Sequence, residues 1–202
     1  MSKQVDWHEQ WKLFAENFYD GRAHIDLTPY GLDQELLLEP GPGFGDLSHP
    51  TTRLMMQMMH SHVKGRVVLD IGSGSGILSL ASVLLGALSA VGVDIDASAI
   101  LHARENARLN HLHDRATFEE KLPSKHEKSI LLMNMIFPEQ KLVMQNRGLL
   151  RSDVWILSGI LEEQKSEYIK RLSEWGLVVE NAYTLDGWTG YIATRSNIKP
   201  SS

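Results

Sequence analysis

The chain contains no cysteine, which removes disulfide staples and thiolate chemistry together. No apolar run approaches the ~20 residues that a bilayer-spanning helix needs, and the N-terminus lacks a charged-then-apolar leader pattern. These absences predict a cytoplasmic protein with no membrane partner. Basic residues are outnumbered, 20 Lys and Arg against 25 Asp and Glu, for a formal net charge of −5. That balance argues against direct nucleic-acid binding over a broad surface. Internal repeats and low-complexity stretches are absent as well. His60 and His62 are two apart, a spacing that does not put them on one helical face, so no metal site is expected there.

What is present fits one large domain, or a domain with a small appendage, in 202 residues that are 43% hydrophobic. Its centre is Val67-Val68-Leu69-Asp70-Ile71-Gly72-Ser73-Gly74-Ser75-Gly76-Ile77-Leu78. A β-branched apolar run reads as a buried parallel strand, and an apolar helical run follows the glycines. The turn between them lets a ligand approach backbone N–H groups at a helix N-terminus.

Before this centre, Trp7, Trp11, Phe14 and Phe18 predict one face of an N-terminal helix capped by Asp6. Leu36 to Leu38 predicts a short strand. His49 or Ser48 caps a methionine-rich core helix that has Pro50 in its first turn. After it, strands at Ala90–Asp94, Ala116–Phe118, Ile130–Met133 and Val154–Leu157 alternate with helices. Those helices are expected from Ile77 to Leu85, Asp96 to about Asn110, Pro138 to about Leu149, and Glu162 to Trp175. Leu177–Thr184 and Trp188–Thr194, joined by Asp186-Gly187, predict a closing hairpin. Alternation of this kind predicts an α/β fold with a mostly parallel sheet and helices on both faces.

Ligands in such sheets bind beyond the carboxyl ends of the strands, which makes Asp70, Asp94 and Asn134 candidates to converge on one crevice. The glycines fall at 72, 74 and 76, whereas the dinucleotide fingerprint would need its third glycine at Ile77. Asp70 would repel a pyrophosphate and suits a cofactor with a cationic end, such as S-adenosylmethionine. Asp94 lies 22 residues after Gly72, the distance at which a carboxylate accepts from both ribose hydroxyls. The bland alternative is that both aspartates cap nearby helices or loops. A Walker-type phosphate loop is excluded because no Gly-Lys-Ser/Thr follows.

At this point the sequence resembles a class I S-adenosylmethionine-dependent methyltransferase, and within that class the family that methylates large-subunit ribosomal protein eleven. Glu39-Pro40-Gly41-Pro42-Gly43-Phe44-Gly45 with Ser48-His49-Pro50-Thr51-Thr52 resembles that family's E-P-G-x-x-F-G-x-x-x-H-P-T-T loop. Leu69 to Leu78, Gly92 to Asp96, and Leu157-Ser158-Gly159-Ile160-Leu161 resemble its other signatures. The resemblance implies a Rossmann-like sheet of seven strands with an antiparallel final hairpin strand. It implies cofactor contacts at Thr52, Gly72, Asp94 and Asn134, to which the glycine turn adds Asp70, Gly74, Gly76 and, beside Asp94, Ile95. It also implies a protein acceptor, a ribosomal protein, methylated on amines. Asn134 is the candidate catalytic residue, orienting the acceptor nitrogen, or else only holding the cofactor or a loop. His49 is a base or a structural hydrogen-bonding group.

The expected organisation is a helix and lead-in segment over 1–45, the cofactor-binding domain over 46–196, and a flexible tail over 197–202. The chain departs from the family at Asp46-Leu47-Ser48 and at Asn134-Met135-Ile136. It also starts just before the catalytic domain, where family members usually carry an N-terminal recognition domain. Two competing readings therefore stand beside the first. One is a methyltransferase acting on nucleic acid or a small molecule, and the other is a cofactor-binding module without turnover.

Overall fold

The computed structural model describes residues 7–14, 17–43, 45, 47–122, 129–145, 149 and 151–195. Seven strands form the main sheet in the order β6-β5-β4-β7-β8-β10-β9. They are β4 (Val67–Ile71), β5 (Ser89–Val93), β6 (Ala116–Glu119), β7 (Ile130–Asn134), β8 (Val154–Leu161), β9 (Leu177–Leu185) and β10 (Trp188–Arg195). Pairing is parallel from β6 to β8. β10 runs antiparallel to both β8 and β9, with Asp186 and Gly187 turning the hairpin at positive φ. A small antiparallel sheet, β1 (Phe18–Tyr19), β2 (Arg22–Asp26) and β3 (Glu35–Leu38), precedes it.

Strand periodicity divides the core into two layers, because successive side chains point to opposite faces. Val68, Ile130, Leu132 and Ile156 face α2 (Pro50–Met59), α3 (Ile77–Leu84) and α4 (Ala97–Leu109). Leu69, Ile71, Leu131, Met133 and Trp155 face α5 (Phe137–Val143) and α6 (Lys165–Glu174). The first layer also takes in Trp11, Ile25, Leu27, Leu36 and Leu38, so the N-terminal segment shares the core of the main sheet. The methionines of α2 are filler in that layer, fully buried at Met55, Met56 and Met59.

Three expectations change. The first helix, α1 (Trp7–Phe14), does not reach Phe18, which instead pairs with Ala23 in β1. Aromatic spacing alone did not register the Asp20-Gly21 turn, at positive φ in both residues, which folds the chain back into a hairpin. α5 stops at Val143 rather than near Leu149. β8 continues past Leu157 to Leu161, with Gly159 at φ 90° inside it. The expected Asp6 cap, the Asp46 position and the expected tail from 197 lie outside the described residues. Among the described residues no helix is long and apolar enough to cross a membrane.

Candidate functional site

Strand order reverses beside β4, with β5 on one side and β7 on the other, and the crevice past the strand ends at such a point is where ligands bind. A cavity of about 1050 Å³ opens there. Ile71 and Gly72 from the end of β4, Val93 and Asp94 from β5, Asn134 from β7 and Gly159 from β8 all line it.

The glycine turn forms its floor. Gly72, Gly74 and Gly76 have φ of 73°, 54° and 83°, a region that L side chains adopt only at a cost. Gly72 and Ser73 donate to the Val93 carbonyl, and Gly74 donates to Asp94 Oδ2 at 3.0 Å. Asp94 Oδ1 accepts from the Asp96 amide at 3.0 Å. The carboxylate is thus oriented by backbone on both oxygens, and each oxygen keeps a lone pair for a ligand. Ile95, 98% exposed, stands at the rim. Asn134 is half-buried on the facing wall.

Of the residues expected to converge, Gly72, Gly74, Asp94, Ile95 and Asn134 lie on the cavity wall. Thr52, Asp70 and Gly76 are set behind it. Thr52 is buried in the first turn of α2, and its neighbour Thr51 takes the lining position. Gly76 caps α3. Asp70 shares the parity of Val68 along β4, so its side chain enters the α3 layer, where Ser79 Oγ donates to Oδ2 at 2.7 Å. Among the described residues, Thr52 Oγ1, Asp70 Oδ1 and Ser73 Oγ, with His24 Nε2 of β2, are the buried side-chain polar atoms without a hydrogen-bond partner.

Burial pushes the Asp70 carboxyl up to about 7, with the Asp94 charge adding to it and the Ser79 bond opposing. Well below pH 4 the group is neutral in folded and unfolded chains alike. As pH rises towards 7, the unfolded chain loses this proton first, so stability falls, by roughly 4 kcal/mol once complete. Asp70→Asn keeps an acceptor for Ser79 and removes that loss. Urea unfolding from pH 4.5 to pH 8 should show the variant gaining on the native chain as pH rises. Parallel profiles would place the titration elsewhere.

His49 lines the cavity as the cap of α2, its Nδ1 accepting from Thr51 Oγ1 at 2.8 Å and Thr51 N at 3.3 Å. Those bonds put the ring proton on Nε2. The ring meets Trp188 edge-on, with centroids 5.1 Å apart. This is the structural role, and it engages the nitrogen facing α2. Charge on the wall is one-sided. Asp94, Asp96, Glu120 and Glu139 line the cavity against Lys121 among the described residues. Such a wall disfavours a pyrophosphate and favours a ligand with cationic groups.

A model of the family described as "Ribosomal protein L11 methyltransferase (PrmA)" matches residues 3–196. The chain belongs to the ribosomal protein L11 methyltransferase family. The relative from Anoxybacillus flavithermus is 33% identical over 205 residues, covering 95% of this chain and 66% of its own length. That from Tolumonas auensis is 37% identical, covering 84% of this chain and 62% of its own length. The chain therefore spans less than two thirds of these relatives. Among solved structures, ribosomal protein L11 methylase from Lactobacillus delbrueckii subsp. bulgaricus superposes with a TM-score of 0.73 at 27% identity, over 82% of this chain and 88% of the other.

Seen on the family's fold, the Glu39–Thr52 loop supplies Pro42, Gly43, His49 and Thr51 to the cavity wall. Sequence reasoning left out Gly43, Thr51, Gly159 and Trp188 as site residues. The signal for Gly159 was a glycine in the apolar continuation of the Val154–Leu157 strand, a mark of close backbone approach. Trp188 had no such signal, because its position depends on how the β9–β10 hairpin folds back over α2.

Proposed function

We infer that this chain is an S-adenosylmethionine-dependent methyltransferase acting on amines of a ribosomal protein. The observation that carries the cofactor is the acidic wall around a glycine turn, with Asp94 held by Gly74 N–H. Membership of the ribosomal protein L11 methyltransferase family supports the acceptor. In this reading Gly72, Gly74, Asp94, Ile95 and Asn134 contact the cofactor, and Thr52, Asp70 and Gly76 support the turn from behind. Residues 1–45 form a lead-in packed on the cofactor-binding domain at 46–196.

Bound S-adenosylmethionine would supply an electrophilic methyl group on a sulfonium. The chain's own tasks are alignment and exclusion of water. An acceptor lysine with pKa ~10.4 is nearly all charged at pH 7 and must lose its proton before its lone pair can react. A neighbouring cationic group favours that loss, and the bound cofactor's charge acts in this direction. Asn134 Oδ1 accepts a hydrogen bond from the amine nitrogen and turns its lone pair toward the methyl. Asn134→Ala should then lower kcat by roughly 100-fold, a larger loss than the one calorimetry shows in cofactor affinity. Equal loss of affinity would leave Asn134 as a cofactor-holding residue only.

The whole reading is tested by incubating the chain with methyl-labelled S-adenosylmethionine and cell extract, with and without ribosomes. Label on a protein of ribosomal size supports it. Cofactor binding with no label transferred to anything favours a binding module.

A further inference from the structure

We propose that His102, on α4 and off the cavity wall, is a positioning residue that latches the Glu39–Gly43 strap against the glycine turn and so sets the shape of the cofactor cavity. The inference rests on the cavity being the S-adenosylmethionine site. Its starting point is the backbone beyond β3, whose polar groups must find partners once the strand ends at Leu38. One stripe of α4 supplies them. Residues 102, 106 and 110 are four apart and share a helix face.

Asn110 brackets Leu37, accepting from its N–H at 2.9 Å and donating to its carbonyl at 2.7 Å. Asn106 Oδ1 accepts from Glu39 N–H at 2.8 Å, while its Nδ2 donates to the Ser75 carbonyl at 2.9 Å. His102 closes the clasp at the far end. Its Nδ1 accepts from Gly43 N–H at 3.1 Å, and its Nε2 donates to the Glu39 carbonyl at 2.6 Å. The fit leaves no slack. A Cβ on Gly43 would lie 2.5 Å from the Gly74 carbonyl carbon and from Ser75 N, and one on Gly41 would lie 2.5 Å from the His102 ring. Pro42, Gly43 and Gly74 are themselves cavity wall, so movement of the strap changes the cavity directly.

Both His102 bonds are made together only by the neutral ring with its proton on Nε2. An imidazolium would set a second N–H against Gly43 N–H and break the latch. The ring is 3% exposed. It meets the edge of Trp11 from α1 and feels the carboxylate charges of Glu39 from the strap and Glu105 from its own helix, and Glu39 is paired with Arg22 of β2 at 2.7 Å. The carboxylates favour protonation, but burial outweighs them and holds the pKa below the ordinary histidine value.

Two variants test this by calorimetric titration with S-adenosylmethionine from pH 5 to pH 8. His102→Leu removes both bonds and should bind roughly tenfold more weakly at pH 7.5, the worth of one or two net hydrogen bonds. His102→Asn keeps an acceptor near the Nδ1 position and does not titrate, so it should recover most of the affinity. The native-to-His102→Asn affinity ratio should then fall wherever the buried ring takes up a proton, since groups common to both proteins cancel in it. Native affinity in a folded His102→Leu, or a His102→Asn that recovers none of the lost affinity, overturns the latch. If the native chain binds no S-adenosylmethionine, the cofactor reading fails, and hydrogen exchange at the Gly43 amide decides the latch alone. Exchange slowed in the native chain and fast in His102→Leu supports it, and equal exchange overturns it.

Discussion

Asp94→Ala is expected to weaken S-adenosylmethionine binding by roughly 100-fold or more. A hydrogen bond to a charged group contributes about 1.5–3 kcal/mol, and a ribose offers this carboxylate two hydroxyls. Losing both costs about 3 kcal/mol or more, which is two decades in affinity. The substitution also removes the acceptor for Gly74 N–H and Asp96 N–H, which loosens the floor of the cavity and the start of α4. Stability should fall less than affinity, because Asp94 is half-exposed at a strand end and water can replace it at those amides. Calorimetry giving an unchanged dissociation constant would remove Asp94 from the site.

Among the described glycines, Gly159→Ala should be the most damaging substitution. At φ 90° an alanine is strained before any contact is counted. Its Cβ would also fall on the Met135 backbone carbonyl, and backbone cannot give way as a flexible side chain can. Strain and overpacking together should cost at least about 3 kcal/mol. The consequence for function is larger than the loss of stability. Met135 directly follows Asn134, and its carbonyl is already fixed by Gln140 Nε2 at 2.7 Å. Gln140 also donates to Ser158 O at 2.8 Å and accepts from the buried Tyr168 hydroxyl at 2.5 Å. Pushing Met135 off that support displaces Asn134, so folded variant protein should lose turnover by more than 100-fold. Normal turnover would mean that Asn134 is not held through this network.

Much of the sheet was legible because parallel strands buried on both faces are continuous apolar runs, as at Val67–Ile71 and Ile130–Met133. The hairpin at Asp186-Gly187 was legible for a different reason, since that dipeptide names its own turn. α1 was overextended because aromatic spacing persists through a turn that only Asp20 and Gly21 mark. Site residues at strand ends, Asp94 and Asn134, could be placed on the cavity wall from topology. Asp70 could not, because its side chain follows strand parity, and the parity of a buried run is invisible when both faces are apolar. His102 was equally hidden. Its partners Glu39 and Gly43 lie about 60 residues away in sequence, and nothing local announces them.

Mass spectrometry of purified ribosomal protein L11 after incubation with this chain and S-adenosylmethionine tests the proposed activity most directly. The reading predicts mass gains of whole methyl groups, mapped to amine nitrogens, that vanish when S-adenosylmethionine is omitted and nearly vanish with Asn134→Ala. An unchanged mass under conditions where calorimetry shows the cofactor bound would contradict it.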